Sequence, residues 1–412
     1  MKKMLMSMMA LVCAGLWGDA LTWTGAGGDY RWNNPANWSS RDGAVQVPGN
    51  WCSVTIENTG TEELVLENDV AGTPMIGTLT VNGGPVKITG NGLRCANAAC
   101  VTANADLTLT TPIELVNASS YAFSVASKKT CVVDAVISGA GTLVRKDAGY
   151  LDLKRANTYA GGTVLSNGVT RIYDMSALGT SSEPVRLASN GTTTYGKLEI
   201  GVAGTFAYPI WADYNTGNAS ATNSANLCAM LGGVTLTGAI TGRRLGLRAT
   251  GGTLTVDATV DLEGDDGLLN LFPGSQTITF KRRVTAARMD VGNSTNGGNG
   301  TINWHSPENR FTYFHSEYKN QIAHCSDAWG TNAICSFGYC EGGRSYYHLN
   351  NFDQTIDRLD YSRSSACATT EDWRLLQWHQ VYGGQSVGAR LTMRATADTV
   401  CDAYYDQKLT LV

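Results

Sequence analysis

Short runs of alternating apolar and polar residues recur through the middle of the chain at intervals of about twenty residues. One coil of a single-stranded β-solenoid needs roughly that length, since each coil carries two or three short strands and the bends between them. The spacing therefore predicts a β-solenoid. The runs are centred on Leu109, Val132, Leu153, Ile172, Leu236, Val256 and Ile278.

The composition of these runs favours strand over helix. Thr and Val alternate with period two in segments such as GGVTLTGAITG and GGTLTVDATVDLEG, and no window of helical length carries a sustained apolar stripe. Charged residues make up 16% of the chain and there are 47 glycines, which is unusual for helix-rich globular proteins. We predict an all-β protein. A Greek-key sandwich has a strand about every eight to twelve residues. The longer spacing disfavours this alternative without excluding it.

The first twenty residues have the pattern of a cleavable export signal. Lys2 and Lys3 precede an apolar run that is shorter than the roughly 18 to 20 residues needed to cross a bilayer. Val12 stands before Cys13 where a lipoprotein signal requires a small residue. We expect residues 1–20 to be a signal peptide, and the mature chain to be exported to the cell surface or the extracellular space without a transmembrane helix.

The charge of the mature chain disfavours nucleic acid as a partner. Without residues 1–20 the chain carries 29 basic and 34 acidic side chains, so its net charge is near minus five.

Ten cysteines remain after the signal peptide, an even number that permits disulfides in an exported protein. Two pairs are spaced closely enough to close short loops, Cys95 with Cys100 and Cys335 with Cys340. Buried thiols that behave as small apolar groups are the alternative for each pair.

A segment at residues 137–168, ISGAGTLVRKDAGYLDLKRANTYAGGTVLSNG, resembles the autotransporter-associated β-strand repeat. That resemblance implies an exported, passenger-type, right-handed parallel β-helix. The matching positions are Gly139, Gly141, Leu143, Leu151, Leu153, Asn157, Thr158, Tyr159, Gly161, Gly162 and Thr163.

Other segments resemble the same family less closely. SPENRFTYFHSE keeps Asn309 and Tyr313 but lacks the paired glycines, and YYHLNNFDQTIDRLDYS is similar to a strand that accompanies such repeats. The Trp-rich opening of the mature chain is similar to the first segment of large exported proteins that carry these repeats. We expect a Trp-rich cap at residues 21–56, a solenoid at residues 57–300 and a degenerate, aromatic-rich continuation at residues 301–412.

The residues that match the repeat have structural explanations that need no chemistry. Asn157 can hydrogen-bond the backbone of an adjoining turn, and Gly161 and Gly162 allow a bend where a Cβ atom would clash. We therefore interpret the ANTYAGG stretch as scaffold.

The densest group of acids is DLEGDDG, with Asp261, Glu263, Asp265 and Asp266. Glycoside hydrolysis needs two such acids, and calcium prefers such oxygen ligands. The segment departs from an EF-hand, since the glycine falls at Gly267 and Phe272 stands where Glu is required. A solvated loop is the favoured interpretation, and we predict no catalytic residues.

Metal ligation has little support in the sequence. The most metal-like grouping is His324 and Cys325 with Cys335 and Cys340, but its spacing is irregular. We predict no metal site and no cofactor.

Tryptophans crowd both ends of the mature chain. Trp23, Trp32, Trp38 and Trp51 are expected to cap the end of the solenoid, which otherwise exposes apolar core and unpaired strand edges. Trp373 and Trp378 are candidate glycan-binding residues, because exposed aromatic rings stack on sugars.

The leading hypothesis is a non-enzymatic, exported β-solenoid scaffold that contacts surface glycans or host or cell-surface proteins in the manner of an adhesin. The alternative is a polysaccharide lyase or glycoside hydrolase on the same fold. Clustered acids or basic residues on one face of consecutive coils favour the enzyme, and a face of Thr, Asn and aromatic residues favours the scaffold.

Overall fold

The protein is almost entirely β-structure. A computed structural model describes residues 19–43, 45–49, 51–188, 196–213, 226–262, 264–291, 300–316, 320–339, 346–348, 352–363, 374–376 and 391–393. In these ranges the one helix is a short 3-10 turn at Pro35–Asn37, so no helix there is long or apolar enough to cross a membrane. The all-β prediction is confirmed.

The chain forms two compact units, one comprising Met1–Ala219 with Asn226–Met230 and the other Ser220–Ala225 with Leu231–Val412. The described strands of the first unit are β1 Ala20–Trp23, β2 Trp38–Ser40, β3 Cys52–Asn58, β4 Leu64–Asn68, β5 Met75–Gly83, β6 Val86–Gly90, β7 Leu93–Cys95, β8 Ala99–Ala103, β9 Leu107–Leu109, β10 Ile113–Leu115, β11 Ser120–Val125, β12 Thr130–Val133, β13 Ile137–Gly139, β14 Thr142–Lys146, β15 Tyr150–Leu153, β16 Thr163–Leu165, β17 Gly168–Ile172, β18 Val185–Ala188, β19 Gly196–Ile200, β20 Gly204–Phe206, β21 Ile210–Asp213 and β22 Leu227–Ala229. Those of the second unit are β23 Val234–Leu236, β24 Ile240–Gly242, β25 Arg244–Ala249, β26 Leu254–Val256, β27 Val260–Leu262, β28 Leu268–Phe272, β29 Thr277–Phe280, β30 Val284–Val291, β31 Thr301–Trp304, β32 Arg310–Ser316, β33 Asn320–Ala323, β34 Ile334–Tyr339, β35 Tyr346–His348, β36 Gln354–Ile356, β37 Arg358–Arg363, β38 Arg374–Leu376 and β39 Leu391–Met393.

Each unit is a parallel β-solenoid in which a strand pairs with its counterpart one coil later. In the first unit β9 pairs with β12, β12 with β15, and β15 with β17. In the second unit β23 pairs with β26, β26 with β29, and β29 with β31. Among the described strands of either unit, only β1 and β2 pair antiparallel. Sandwiches are built from antiparallel sheets, so the predicted solenoid is confirmed over the Greek-key alternative.

Alternate side chains of these strands form ladders inside the coil. Because parallel strands hold facing residues in register, one inward position is repeated in each coil. The members of one such ladder are almost completely buried, and the ladder excludes water along its length. It consists of Leu107, Cys131, Leu151, Thr170, Leu198 and Leu227.

The predicted run centres Val132 and Ile278 lie in strands, and the register adds which residues pair there. Leu109 and Leu153 flank Val133 in the inward ladder, so Val132 faces outward. In the second unit Val256 pairs with Phe280, whereas Ile278 pairs with Leu254. A period-two pattern of apolar residues leaves a shift of one or two positions undetermined until the partner strand is known.

Asn157, in the repeat segment, joins three successive coils. Its side chain is buried, its Oδ1 atom accepts a hydrogen bond from the backbone N–H of Ile137 at 2.7 Å, and its Nδ2 atom donates to the carbonyl of Ala177 at 2.6 Å. Ile137 lies one coil earlier and Ala177 one coil later. The asparagine thus satisfies two backbone groups that no strand ladder reaches.

The residues after Asn157 extend the same connection. The hydroxyls of Tyr159 and Thr163 lie 2.6 Å apart, and that of Thr163 donates to the carbonyl of Leu178 at 3.1 Å. Each of the paired positions requires glycine for a different reason. A Cβ atom on Gly161 would lie 2.4 Å from the backbone of Gly141, and Gly162 has a φ of +90°, which side chains with a Cβ atom disfavour.

Asn309 repeats this arrangement in the second unit. Its Oδ1 atom accepts from the N–H of Val284 at 2.8 Å and its Nδ2 atom donates to the carbonyl of Ala328 at 2.8 Å. Phe311, two residues on, is buried as Tyr159 is, whereas Tyr313 lies at an outward position under the guanidinium of Arg288. Phe311 is therefore the counterpart of the repeat tyrosine Tyr159. The match of Tyr313 to the repeat, made from the sequence, is wrong.

A cluster of tryptophans lies beside the first strands. Trp23 and Trp32 both pack edge-on against Trp38, with ring centroids 5.1 and 5.5 Å away, and all three are buried. Strand β2 covers the edge of β1 that faces away from β3. An antiparallel strand there ends the parallel stack, as expected of a cap. Trp51 lies outside the cluster and is 48% exposed.

We predict that Asn157→Ala lowers the free energy of unfolding by about 2 to 4 kcal/mol, because a buried N–H and a buried carbonyl lose their partners. Asn309→Ala is expected to have an effect of similar size, since it makes the same pair of bonds. Urea unfolding followed by far-ultraviolet circular dichroism measures both.

The matched control is Asn91→Ala, which removes one exposed hydrogen bond to the carbonyl of Val70. If Asn91→Ala is as destabilising as Asn157→Ala, the three-coil connection has no special importance.

Candidate contact surfaces

Several of the predicted site residues lie outside the described residues. These are Trp373, Trp378, Glu263 and Cys340. The glycan-binding role of the two tryptophans and the pairing of Cys335 with Cys340 therefore stay predictions.

The acidic segment DLEGDDG is enclosed by arginines from the coils on either side. Asp266 lies within ion-pair distance of Arg243 and Arg244 of the preceding coil, at 2.5 and 3.5 Å. Asp261 pairs with Arg283 of the following coil at 3.6 Å. The hydrogen bond from Arg243 lowers the pKa of Asp266. These ion pairs give Asp261 and Asp266 a role in joining coils. The described residues contain no group of three or more His, Cys, Asp or Glu side chains that could hold a metal ion.

Two histidines stack on each other at a corner of the second unit. The rings of His305 and His324 are 4.2 Å apart and nearly parallel, and the Nε2 atom of His324 lies 3.1 Å from the Oδ1 atom of Asn303. Burial lowers the pKa of both, and the neighbouring charges of His324 and Lys281 lower that of His305 further. The nitrogen lone pairs lie in the ring planes, so those of two stacked rings lie in separate parallel planes and do not converge on one metal ion.

A disulfide joins Cys95 at the end of β7 to Cys100 in β8 and closes a corner of the first unit. Their Cα atoms are 5.4 Å apart, within the usual range for this bond.

Cys335 is buried, and burial raises the pKa of its thiol. Burial raises the pKa of Cys131 to about 12, so this thiol stays protonated and unreactive near neutral pH.

A charged side chain lies inside the coil of the first unit. Arg145 is completely buried, and its Nη1 atom donates to the carbonyl of Phe123 at 3.2 Å. Burial lowers its pKa to about 10. Sequence patterning missed it, because an arginine in an alternating run is ordinarily assigned to the outer face.

The outer surface of β15, β17 and β19 carries a network that the sequence analysis did not detect. We call it the charged–aromatic face; its members are Tyr150, Asp152, Lys154, Arg171, Tyr173 and Glu199. Arg171 lies over the ring of Tyr150 at 4.0 Å, and Lys154 lies over that of Tyr173 at 3.1 Å. Register explains the grouping, since Asp152 faces Arg171 and Arg171 faces Glu199 on consecutive strands.

The charges of this face compensate one another. Asp152 lies 3.6 Å from both Lys154 and Arg171, and Arg171 donates from Nε to Glu199 at 3.1 Å. Burial lowers the pKa of Arg171, but the charges of Asp152 and Glu199 outweigh it, so the pKa is raised. Each carboxylate thus has a cationic partner.

A second outer surface, on β1, β3, β5, β8 and β11, is uncharged except for Glu57 at its margin. We call it the hydroxyl face; a column of hydroxyl side chains crosses it, one from each coil, with Asn82 and Asn104 alongside. The amides of Asn82 and Asn104 hydrogen-bond each other at 2.9 Å. The column consists of Thr22, Thr55, Thr80, Thr102 and Ser124. Alternating Thr in runs such as TLTV is the sequence signal from which this face could have been found.

The fold and these faces define a parallel β-solenoid with polar outer sheets, and the sequence comparison agrees with that class. The chain is similar to a protein described as "Adhesin BmaC autotransporter" from Brucella suis biovar 1 (strain 1330), with 26% identity over 222 residues. The similarity covers 48% of this chain and 6% of that protein. No family model matches the chain, and no solved structure matches it. The resemblance to autotransporter β-helix proteins is thereby supported.

We predict that Cys95 and Cys100 resist alkylation in the denatured, unreduced protein while Cys131 reacts, because only the first two are bonded to each other. Peptide mass spectrometry before and after reduction gives the result. Alkylation of Cys95 without reduction would contradict the disulfide.

Acidification is expected to destabilise the second unit. The folded-state pKa values of His305 and His324 lie below the ordinary 6.5, so the unfolded chain binds more protons below that pH. The contribution of these two histidines to stability is fully present above about pH 6.5 and is lost as the pH falls from there to the lowered folded-state values. Thermal unfolding from pH 7.5 to 5 tests this, and a His305→Gln/His324→Gln variant should depend less on pH than the wild type.

Proposed function

We propose that this protein is an exported, non-enzymatic, adhesin-like scaffold that contacts glycans or proteins at a cell surface. The observation that carries this proposal is the contrast between the outer faces of the first unit. Acids on the charged–aromatic face are neutralised by basic side chains, and the column of the hydroxyl face presents hydrogen-bonding groups without charge, with Glu57 alone at the margin of that face. Neither arrangement provides the two carboxylates without ion-pair partners that glycoside hydrolysis needs.

The solenoid suits contact with a repeating ligand. Each coil adds one side chain to every outer column at the spacing of paired strands, about 4.8 Å. Such a column is rigid because both neighbouring coils hold its backbone. Similarity to an autotransporter adhesin supports the same role, and the aromatic rings of Trp373 and Trp378 are proposed to add stacking contacts to sugars.

One observation favours a second candidate, a polysaccharide-cleaving enzyme. Asp152 and Glu199 project from strands two coils apart on the same face, about 10 Å along the stack. Arg171 lies between them, and acids with basic residues on consecutive coils are the pattern expected of such an enzyme. The ion pairs weigh against it, because a general acid must hold a proton and a nucleophile must have a lone pair free to attack the substrate.

We expect the purified mature chain to bind glycans in an array without releasing reducing or unsaturated ends from a polysaccharide panel. Trp373→Ala and Trp378→Ala are expected to weaken glycan binding about tenfold, the effect of roughly 1.4 kcal/mol of lost stacking. Trp51→Ala is the matched control, since Trp51 is an exposed tryptophan in the cap.

Release of new chain ends, abolished in Asp152→Asn or Glu199→Gln, would establish the enzyme and overturn the scaffold. Circular dichroism of each variant must first show the wild-type fold.

A further inference from the structure

We propose that the hydroxyl face binds an extended, uncharged polysaccharide laid along the column from Thr22 to Ser124. This inference rests on the proposed function and specifies the surface and the chemical class of its ligand. It is independent of Trp373 and Trp378.

The geometry of the column suits a linear repeating ligand. Thr55, Thr80 and Thr102 occupy the same position in three successive coils, with Thr22 before them and Ser124 after them. Neighbouring hydroxyls are therefore about 4.8 Å apart. This is comparable to the length of one sugar in an extended β-linked chain, so successive sugars can meet successive coils.

The hydroxyls of this column are available to a ligand. Within the described residues, the side chains of Thr55, Thr80, Thr102 and Ser124 have no hydrogen-bond partner. A neighbouring outer face shows the contrast: the Thr89 hydroxyl donates to the carbonyl of Leu66, and that of Thr110 donates to the carbonyl of Ile88, each at 3.2 Å. Two adjacent faces rich in Thr thus differ in whether the hydroxyls are used by the backbone.

Charge selects a neutral ligand. Glu57 lies beside Asn82 at one margin of the face, and Lys146 follows Ser124 at the end of the column. Between these two residues the column is uncharged. A uronate or a sulfated sugar would have to leave water without gaining a cationic partner, which is costly.

The face is also held rigid before binding. Val54, Leu79 and Val101 are the inward neighbours of the three central threonines, and all are buried. Thr is β-branched, so its χ1 angle is restricted in a strand. Little side-chain freedom is lost on contact, which favours binding through many weak hydrogen bonds.

The test uses the full mature chain and sedimentation with suspensions of cellulose and of linear β-1,3-glucan, with alginate as the anionic probe. The variant is Thr55→Val/Thr80→Val/Thr102→Val, which removes three hydroxyls and keeps the shape and strand preference of each residue. The control is Thr89→Val/Thr108→Val/Thr110→Val, which changes three threonines of the neighbouring face. We expect the wild type and the control to bind a neutral polysaccharide equally well. The Thr55/Thr80/Thr102 variant is expected to bind it about tenfold more weakly.

The outcomes separate this inference from the proposed function. Equal binding by wild type and the Thr55/Thr80/Thr102 variant overturns the hydroxyl face as the site and leaves the adhesin-like scaffold intact. Preference for alginate over both neutral polymers overturns the ligand class. Cleavage of any polymer overturns the scaffold itself. Rescue of binding by Thr55→Ser/Thr80→Ser/Thr102→Ser supports the hydroxyl as the recognised group.

Discussion

Backbone hydrogen bonds between successive coils fix the position of every strand side chain in this protein. Parallel pairing places each inward residue against the same position one coil away, so Leu107, Cys131 and Leu151 form one buried line. The same pairing aligns the outward residues, and the polar columns on the surface follow from it. Core and surface therefore depend on one register, and a shift of a single residue would exchange them.

Corners are where that register is vulnerable, because strand pairing stops there while coils differ in length. Asn157 and Asn309 meet this problem in the same way, each bonding the backbone of the coil before and the coil after. The coils that receive these bonds share a short pattern, Ala-Leu-Gly-Thr at residues 177–180 and Ala-Trp-Gly-Thr at residues 328–331. The repeat asparagine is thus part of a coil-to-coil connection, which agrees with the interpretation of the ANTYAGG stretch as scaffold.

The proposed function rests on the columns of side chains that successive coils assemble. On the charged–aromatic face Arg171 connects Asp152 to Glu199, which stabilises the stack and neutralises both acids. On the hydroxyl face the side chains leave their hydrogen-bonding capacity to solvent or a ligand. The proposed scaffold would gain affinity by repetition of weak contacts along such a column.

Local pattern determined much of this fold: Thr- and Val-rich alternation gave the strands, the interval of about twenty residues gave the coil, and the repeat asparagine marked a corner. Which residues pair across coils could be learned only from the tertiary structure, because the intervals bridged by Asn157 and Asn309 vary from 19 to 25 residues. Spacing alone therefore did not show that Val133 continues the ladder of Leu109 and Leu153, that Phe311 is the buried counterpart of Tyr159, or that the two outer faces form. Which residues meet across coils is decided by register, and register is set by pairing between segments that the sequence does not place side by side.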